Sequence, residues 1–216
     1  MKRAVVIVFA RRPRAGRVKR RLAHAVGRRR ATALYARTLA RTLAVVDSLG
    51  GVERVLSVAR ADELAAFRHL RRAGWRLRPQ RGRDLGARMA DAMAEPLAGA
   101  RATLLLGSDL RDITCADLQD ALRALAGGTD IVFGAAADGG YWLVGMRTVC
   151  PAVFAGIAWS TPHVLGDSVA RARAAGCSVA VLAPRHDLDA GRDLLRGAAS
   201  RGFQRSRTWA RSRAAT

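Results

Sequence analysis

The stretch Thr103-Leu-Leu-Leu-Gly-Ser-Asp-Leu-Arg-Asp112 decides how the chain folds. Four apolar or β-favouring residues bounded by turn formers read as a central parallel strand, which stops at Gly107 and delivers a carboxylate, Asp109. In open α/β sheets ligands gather at the carboxyl ends of such strands, so Asp109 is the first candidate for a functional residue. The alternative is an aspartate that only caps the next helix. A better cap stands further on: Thr114-Cys-Ala-Asp117 fits the Ser/Thr-x-x-acid start signal ahead of Leu118, Leu122 and Leu125.

Working outward, the same alternation of strand and helix recurs on both sides. Upstream, residues 4–9 predict a first strand, followed by a loop punctuated by Pro13 and Gly16 and a helix over Val18–Val26. A second helix is expected over Ala31–Leu49, ending at Gly50-Gly51, then a strand over Val52–Ala59 and a helix over Asp62–Arg72. Leu64, Phe67 and Leu70 of that helix are assigned to the core. Trp75–Pro79 is a third strand, which empties into the polar loop Gln80-Arg-Gly-Arg-Asp-Leu-Gly86; Met89, Met93 and Leu97 of the next helix read as core filler. Downstream, a strand over Asp130–Ala135 leads into Asp138-Gly-Gly-Tyr-Trp-Leu-Val-Gly-Met146. That Asp-Gly pair is consistent with plain hairpin chemistry, yet it carries an acid and an aromatic in an aromatic-poor chain. Thr161 and Pro162 are expected as N-cap and first residue of a helix through Ala175. Cys177–Ala183 is a last strand, with Asp187 and Asp189 beyond it and a helix over Arg192–Ala199. Mainly βα repeats with one hairpin-like excursion predict a three-layer α/β fold around a mixed, mostly parallel sheet.

Composition narrows the class. Residues 1–199 are expected to form one domain, with the Arg-rich stretch 200–216 a flexible basic tail. No stretch is apolar and long enough for a membrane span, and the N-terminal apolar run is too short for a secretory h-region; a cytoplasmic protein is expected. The three cysteines lack C-x-x-C spacing, so neither a disulfide framework nor a zinc site is indicated. The net charge of +21 raises nucleic acid as a partner, but the arginines are diffuse and no nucleic-acid-binding signature appears. Among 38 basic residues only Lys2 and Lys19 are lysine, so Lys19 is conspicuous as an internal point charge suited to a phosphate oxygen.

Strand ends therefore supply two kinds of group. The loop after the first strand carries Arg11, Arg14, Gly16, Lys19 and Arg21, which reads as an anion cradle or as a solvated basic loop. The others supply Asp109, Asp138 and the Asp187/Asp189 pair. Carboxylates with basic groups invite Mg²⁺ or Mn²⁺ between them, an arrangement that suits a nucleoside diphosphate better than a general acid/base pair. No Ser-His-acid or H-E-x-x-H pattern competes.

Six motifs also carry a resemblance: Phe9-Ala-Arg-Arg-Pro-Arg-Ala-Gly-Arg-Val-Lys-Arg-Arg-Leu22, Arg78-Pro-Gln-Arg-Gly-Arg-Asp-Leu-Gly-Ala-Arg-Met89, Gly107-Ser-Asp109, Asp138-Gly-Gly-Tyr-Trp-Leu-Val-Gly145, Trp159-Ser-Thr161 and Asp187-Leu-Asp189. In this order they resemble a bacterial family of GT-A-like transferases long catalogued as a domain of unknown function, some members labelled glycosyltransferases of arsenosugar biosynthesis. The resemblance covers residues 4 to about 197. It implies the Rossmann-like nucleotide-diphospho-sugar transferase fold, with kinship to molybdenum-cofactor and phospholactate/phosphoenolpyruvate nucleotidyltransferases. By the same resemblance Asp109 and Asp189 would ligate a metal. Gly16, Lys19 and Arg21 would hold phosphates, with Arg11 keeping the charge of the family's usual lysine. Asp84, Leu85 and Gly86 would border base or ribose, while Asp138, Gly139, Gly140 and Tyr141, with Trp159, Ser160 and Thr161, would face an acceptor. The chain departs from the family pattern at Ala15 and Arg111, where proline is usual, and at Arg20, where threonine is usual. Arg111 removes a rigid turn and sets a guanidinium two residues from Asp109.

The expected function is metal-dependent glycosyl transfer from a nucleotide-diphosphate donor to a small-molecule acceptor, with Asp138 as the base. The same elements would serve nucleotidyl transfer from an NTP to a phosphorylated small molecule with pyrophosphate release. From a different class stand a basic nucleic-acid-binding protein and a nucleotide binder without catalysis.

Overall fold

The fold is taken from a computed structural model, which describes residues 2–185. Asp187, Asp189, the helix expected over 192–199 and the basic tail lie outside the described residues.

Seven strands form one sheet in the order β3-β2-β1-β4-β6-β5-β7: β1 Ala4–Ala10, β2 Val52–Val58, β3 Trp75–Pro79, β4 Ala102–Leu106, β5 Ile131–Ala136, β6 Tyr141–Met146 and β7 Val179–Arg185. β1 pairs in parallel with both β2 and β4, β2 with β3, and β5 with β7. β6 runs antiparallel to β4 and β5, and is the hairpin excursion that the Asp138-Gly-Gly turn foretold. Six strands thus end on one edge of the sheet, where β6 begins. The chain winds from β1 outward through β2 and β3, then returns to the other side of β1 at β4. The carboxyl ends of β1 and β4 therefore form the topological switch point, the place where ligands bind in open α/β sheets.

Among the parallel strands β1, β4 and β5 are buried on both faces, which is why β4 reads as an unbroken apolar run. One face carries Val5, Ile7, Val55, Leu105, Phe133 and Val144 beneath Met89, Ala92, Met93 and Leu97 of α3, Leu85–Gly99, together with Val153 and Phe154 of a 3-10 helix over Pro151–Phe154. Ala172 of α5, Val164–Ala174, completes this layer. Against β4, β5, β6 and β7 packs α4, Cys115–Ala126, through the buried Leu118, Ala121 and Leu125. Burying a leucine of this kind contributes about 2 kcal/mol. Thr114 and Asp117 form the anticipated capping box at the start of α4: Thr114 Oγ1 accepts the Asp117 amide at 3.3 Å, and Asp117 Oδ2 accepts the Thr114 amide at 2.9 Å.

Two elements differ from expectation by more than a shift of a few residues at their ends. The stretch after β2 is a 3-10 helix, Ala61–Arg71, in place of an α-helix. The helix expected to start at Thr161 begins at Val164, with His163 at its N-cap. Thr161 is occupied in a turn, its Oγ1 donating to the Ala158 carbonyl at 2.8 Å. A first-turn amide of α5, that of Leu165, is satisfied by the Gly139 carbonyl at 2.9 Å.

Among the described residues compact packing separates two units, one of residues 2–12 and 36–185, the other of residues 13–35. Within the second, the described part holds a loop over 13–19, α1 Arg20–Val26 and the first turns of α2, Arg28–Asp47. The fully buried Leu22 and Ala31 pack there with Ala23, Val26 and Leu34.

Candidate functional site

Asp109 lies two residues beyond Gly107 at the end of β4, on the β4 side of the switch point. Its carboxylate turns back over the strand end: a Cβ on Gly107 would stand 3.1 Å from Asp109 Oδ1. Ser108 is buried and so are Leu110 and Ile113, so the segment holding the carboxylate is fixed on both sides by packing. Arg111 is partly buried, with its Nε 3.7 Å from Asp112 Oδ1. Capping of α4 is carried out by Thr114 and Asp117, which leaves Asp109 outside that task. Asp117 has a further partner in Arg185, at the carboxyl end of β7. Burial pushes the Asp117 carboxyl up, but hydrogen bonds from Arg185 and from the Thr114 amide and hydroxyl outweigh it and hold the group below the usual carboxylate range.

At the β1 side of the switch point the chain leaves the sheet through Arg11 and Arg12. The Arg12 amide donates to Glu63 Oε2 at 3.0 Å, and Glu63 is only 8% exposed. A buried carboxylate thus anchors the start of the basic loop. The sequence reading assigned Leu64, Phe67 and Leu70 of the Asp62–Arg72 stretch to the core and saw no site there; a lone acid in an amphipathic segment carries no signal of such a contact.

The hairpin, the loop of Trp159 and the start of α3 come together. Gly139 has φ +89°, and a Cβ there would meet the Pro162 oxygen at 2.1 Å, so the turn must be glycine to lie against the Trp159–Pro162 segment. Asp138 Oδ1 accepts the Gly140 amide at 3.1 Å, which shapes the turn and leaves the side chain exposed. Tyr141 stacks between Phe133, with ring centroids 5.0 Å apart, and the edge of Trp159 at 6.4 Å. Its hydroxyl points to Met89 Sδ at 3.9 Å, and burial pushes the phenol well above its ordinary value, so it stays protonated. Gly86 abuts Trp159 Cζ2 and the Phe154 carbonyl, each 2.7 Å from where a Cβ would sit. Asp84, Gly86, Tyr141 and Trp159 therefore belong to one neighbourhood, although the sequence motifs divided them between two substrates.

Within it, Asp84 Oδ1 caps α3 by accepting the Ala87 amide at 2.8 Å, and Leu85 leaves 46% of its surface exposed. Ser160 is held at φ +67°, a region that non-glycine residues seldom occupy and that concentrates at functional turns.

In the second unit, Lys19 stands at the N-cap of α1 with φ 47° and ψ 51°, and Gly16 has φ +76°. The loop closes on itself through Arg17 N and Arg14 O at 3.0 Å. A left-handed lysine costs about 1 kcal/mol relative to ordinary backbone, so the one internal lysine is also a strained one.

Hard oxygen donors suit Mg²⁺ or Mn²⁺, and Mg²⁺ is commonly held by one or two carboxylates together with substrate phosphates. Asp109, beside Gly107 just beyond the end of β4, supplies a carboxylate of that kind. Among the described residues no cluster of three or more His, Cys, Asp or Glu is found, and Asp189 lies outside them. None of the described helices is long and apolar enough to cross a membrane.

This strand order, with its single reversed strand, is that of the nucleotide-diphospho-sugar transferase fold. A protein from Desulfovibrio desulfuricans G20, provisionally described as a nucleotide-diphospho-sugar transferase, is 31% identical over 88% of this chain and 84% of its own, with a TM-score of 0.80. The family model DUF2064, described as an uncharacterized protein conserved in bacteria, matches residues 42–161, and the chain belongs to that family. Two more distant likenesses concern the fold alone. CMP:2-keto-3-deoxy-manno-octonic acid synthetase in complex with CTP is 14% identical over 94% of this chain and 99% of its own, TM-score 0.53. Rv0371c of Mycobacterium tuberculosis H37Rv in complex with manganese is 21% identical over 90% and 97%, TM-score 0.53. No protein of curated function matches the chain. The structural likeness supports an enzyme of the transferase class.

Proposed function

We propose that the chain is a metal-dependent glycosyltransferase that moves a sugar from a nucleoside-diphosphate donor to a small-molecule acceptor. The observation that carries this reading is the position of Asp109, a carboxylate just beyond the end of β4 at the switch point, where open α/β sheets bind their ligands. The 31% identity to the Desulfovibrio protein supports the donor class.

When bound at Asp109, a divalent cation would neutralise charge on the departing diphosphate. Lys19, with Gly16 and Arg21 in its loop, binds phosphate oxygens in this reading, and Arg11 adds charge at the end of β1. Asp138 accepts the proton of the acceptor hydroxyl through the carboxylate oxygen not engaged with the Gly140 amide. Gly139, Gly140, Tyr141, Trp159, Ser160 and Thr161 shape the acceptor side, with the buried Tyr141 serving as a fixed wall. Asp84 and Leu85 flank the base or ribose, Leu85 presenting its exposed apolar surface.

Nucleotidyl transfer from an NTP to a phosphorylated small molecule is the second reading. It is favoured by Arg111, two residues from Asp109 in sequence with its Nε 3.7 Å from Asp112 Oδ1, which would clamp an additional phosphate. Incubation with nucleoside-diphosphate sugars or NTPs and Mg²⁺ or Mn²⁺ separates the two. Release of nucleoside diphosphate from a sugar nucleotide supports glycosyl transfer; pyrophosphate release from an NTP with a phosphorylated acceptor supports nucleotidyl transfer.

A further inference from the structure

Cys150 and Cys177 are 27 positions apart in sequence, in no recognisable spacing, yet their sulfurs lie 3.6 Å apart as free thiols. Both are fixed by the backbone. The Cys150 carbonyl accepts the Val153 amide at 3.2 Å at the start of the Pro151–Phe154 helix, and the Cys177 amide donates to the Ala172 carbonyl at 3.0 Å at the end of α5. Immediately after Cys177, Ser178 clasps Asp130: Asp130 Oδ2 accepts the Ser178 amide at 2.9 Å and its hydroxyl at 2.6 Å. Cys150 belongs to the apolar cluster beneath the sheet and Cys177 packs on its margin, so the pair meets where water is scarce but one thiol reaches the surface. Cys115, at the first position of α4, is not part of this contact.

Between the two lie the short helix, the Trp159–Thr161 turn and α5. We infer that Cys150 and Cys177 form a dithiol modification site, which a peroxide or a small-molecule disulfide converts into an intramolecular disulfide tying both ends of the segment that carries Trp159. The half-buried Cys177 reacts first. With a peroxide its sulfur takes one oxygen to give a sulfenic acid, and the peroxide's other oxygen leaves as water. The Cys150 sulfur then attacks Cys177, forming the S–S bond and releasing a second water, so two thiols are oxidised while one peroxide is reduced. Bonding requires the sulfurs to close from contact to about 2.05 Å, a displacement the short loops can absorb. Burial pushes the Cys177 thiol up, with the Cys150 sulfur and Asp130 adding to it, so the pair is a slow responder to sustained oxidation and not a catalytic thiolate.

The test uses the full chain, treated with hydrogen peroxide or oxidised glutathione and then quenched. Thiol titration is expected to leave Cys115 as the single reactive thiol. A tryptic map without reduction is expected to link peptides 148–171 and 174–185. The melting temperature is expected to rise by about 5–10 °C, reversibly with dithiothreitol. Cys177→Ser abolishes the link and the shift, while Cys115→Ser retains both. Retention of all thiols, oxidation of each sulfur without a link, or a link that runs only through Cys115 or between chains overturns the inference. These readouts do not depend on the enzyme's reaction.

Discussion

Gly86 and Trp159 are in contact at a distance that admits no side chain on residue 86: a Cβ there would lie 2.7 Å from Trp159 Cζ2 and equally close to the Phe154 carbonyl. The backbone oxygen cannot swing aside, so Gly86→Ala is expected to destabilise the fold by about 1–3 kcal/mol. Urea unfolding measures this, and Gly50→Ala, with open space around it, is the control expected within about 0.5 kcal/mol of the parent.

Gly139→Ala is expected to be more severe. It combines φ +89° with a 2.1 Å approach to the Pro162 oxygen and disturbs the carbonyl that serves the Leu165 amide. A loss of about 2–4 kcal/mol is expected in the same assay, because strain and steric displacement add.

Asp117 links stability to pH. Its folded-state carboxyl lies below its unfolded value, so between the two the unfolded chain binds more protons and stability falls with falling pH. The contribution is present above about pH 4 and is lost as pH drops through the folded value. Thermal melts from pH 7 to pH 3 are expected to show this acid limb in the parent and a shallower one in Asp117→Asn. Thr114→Ala, which removes the cap hydroxyl, is expected to cost about 1 kcal/mol at neutral pH.

Lys19→Gly separates the backbone role of Lys19 from its charge. Glycine accepts φ 47° freely, and the relief offsets its unfolded-state entropy, so stability is expected to stay within about 0.5 kcal/mol of the parent. The KM for the nucleotide is expected to rise about tenfold if the ammonium binds phosphate.

Most of the sheet was legible because each strand announced itself locally. Ala4-Val-Val-Ile-Val-Phe9 and Leu104-Leu-Leu106 are continuous apolar runs that only a doubly covered strand requires, and Asp138-Gly-Gly signalled the reversal into β6. The capping box at Thr114 was legible for the same reason, being fixed by four consecutive residues. What escaped were contacts between segments distant in sequence. Nothing in the local pattern says that Glu63 holds the Arg12 amide, that Gly86 makes room for Trp159, or that Cys150 meets Cys177. The Thr161 boundary failed because Thr-Pro satisfies the rule for a helix start, while Thr161 spends its hydroxyl on Ala158 and Gly139 serves the α5 amide.

Asp109→Asn tests the central claim most directly, since it keeps the side-chain volume and removes the charge of the carboxylate. With a sugar nucleotide and Mg²⁺ or Mn²⁺, nucleoside diphosphate release is expected to fall by about 10²–10³-fold while the circular dichroism spectrum stays that of the parent. Unchanged turnover in that variant would contradict the account, because the carboxylate at the end of β4 would then not hold the metal on which the reaction depends.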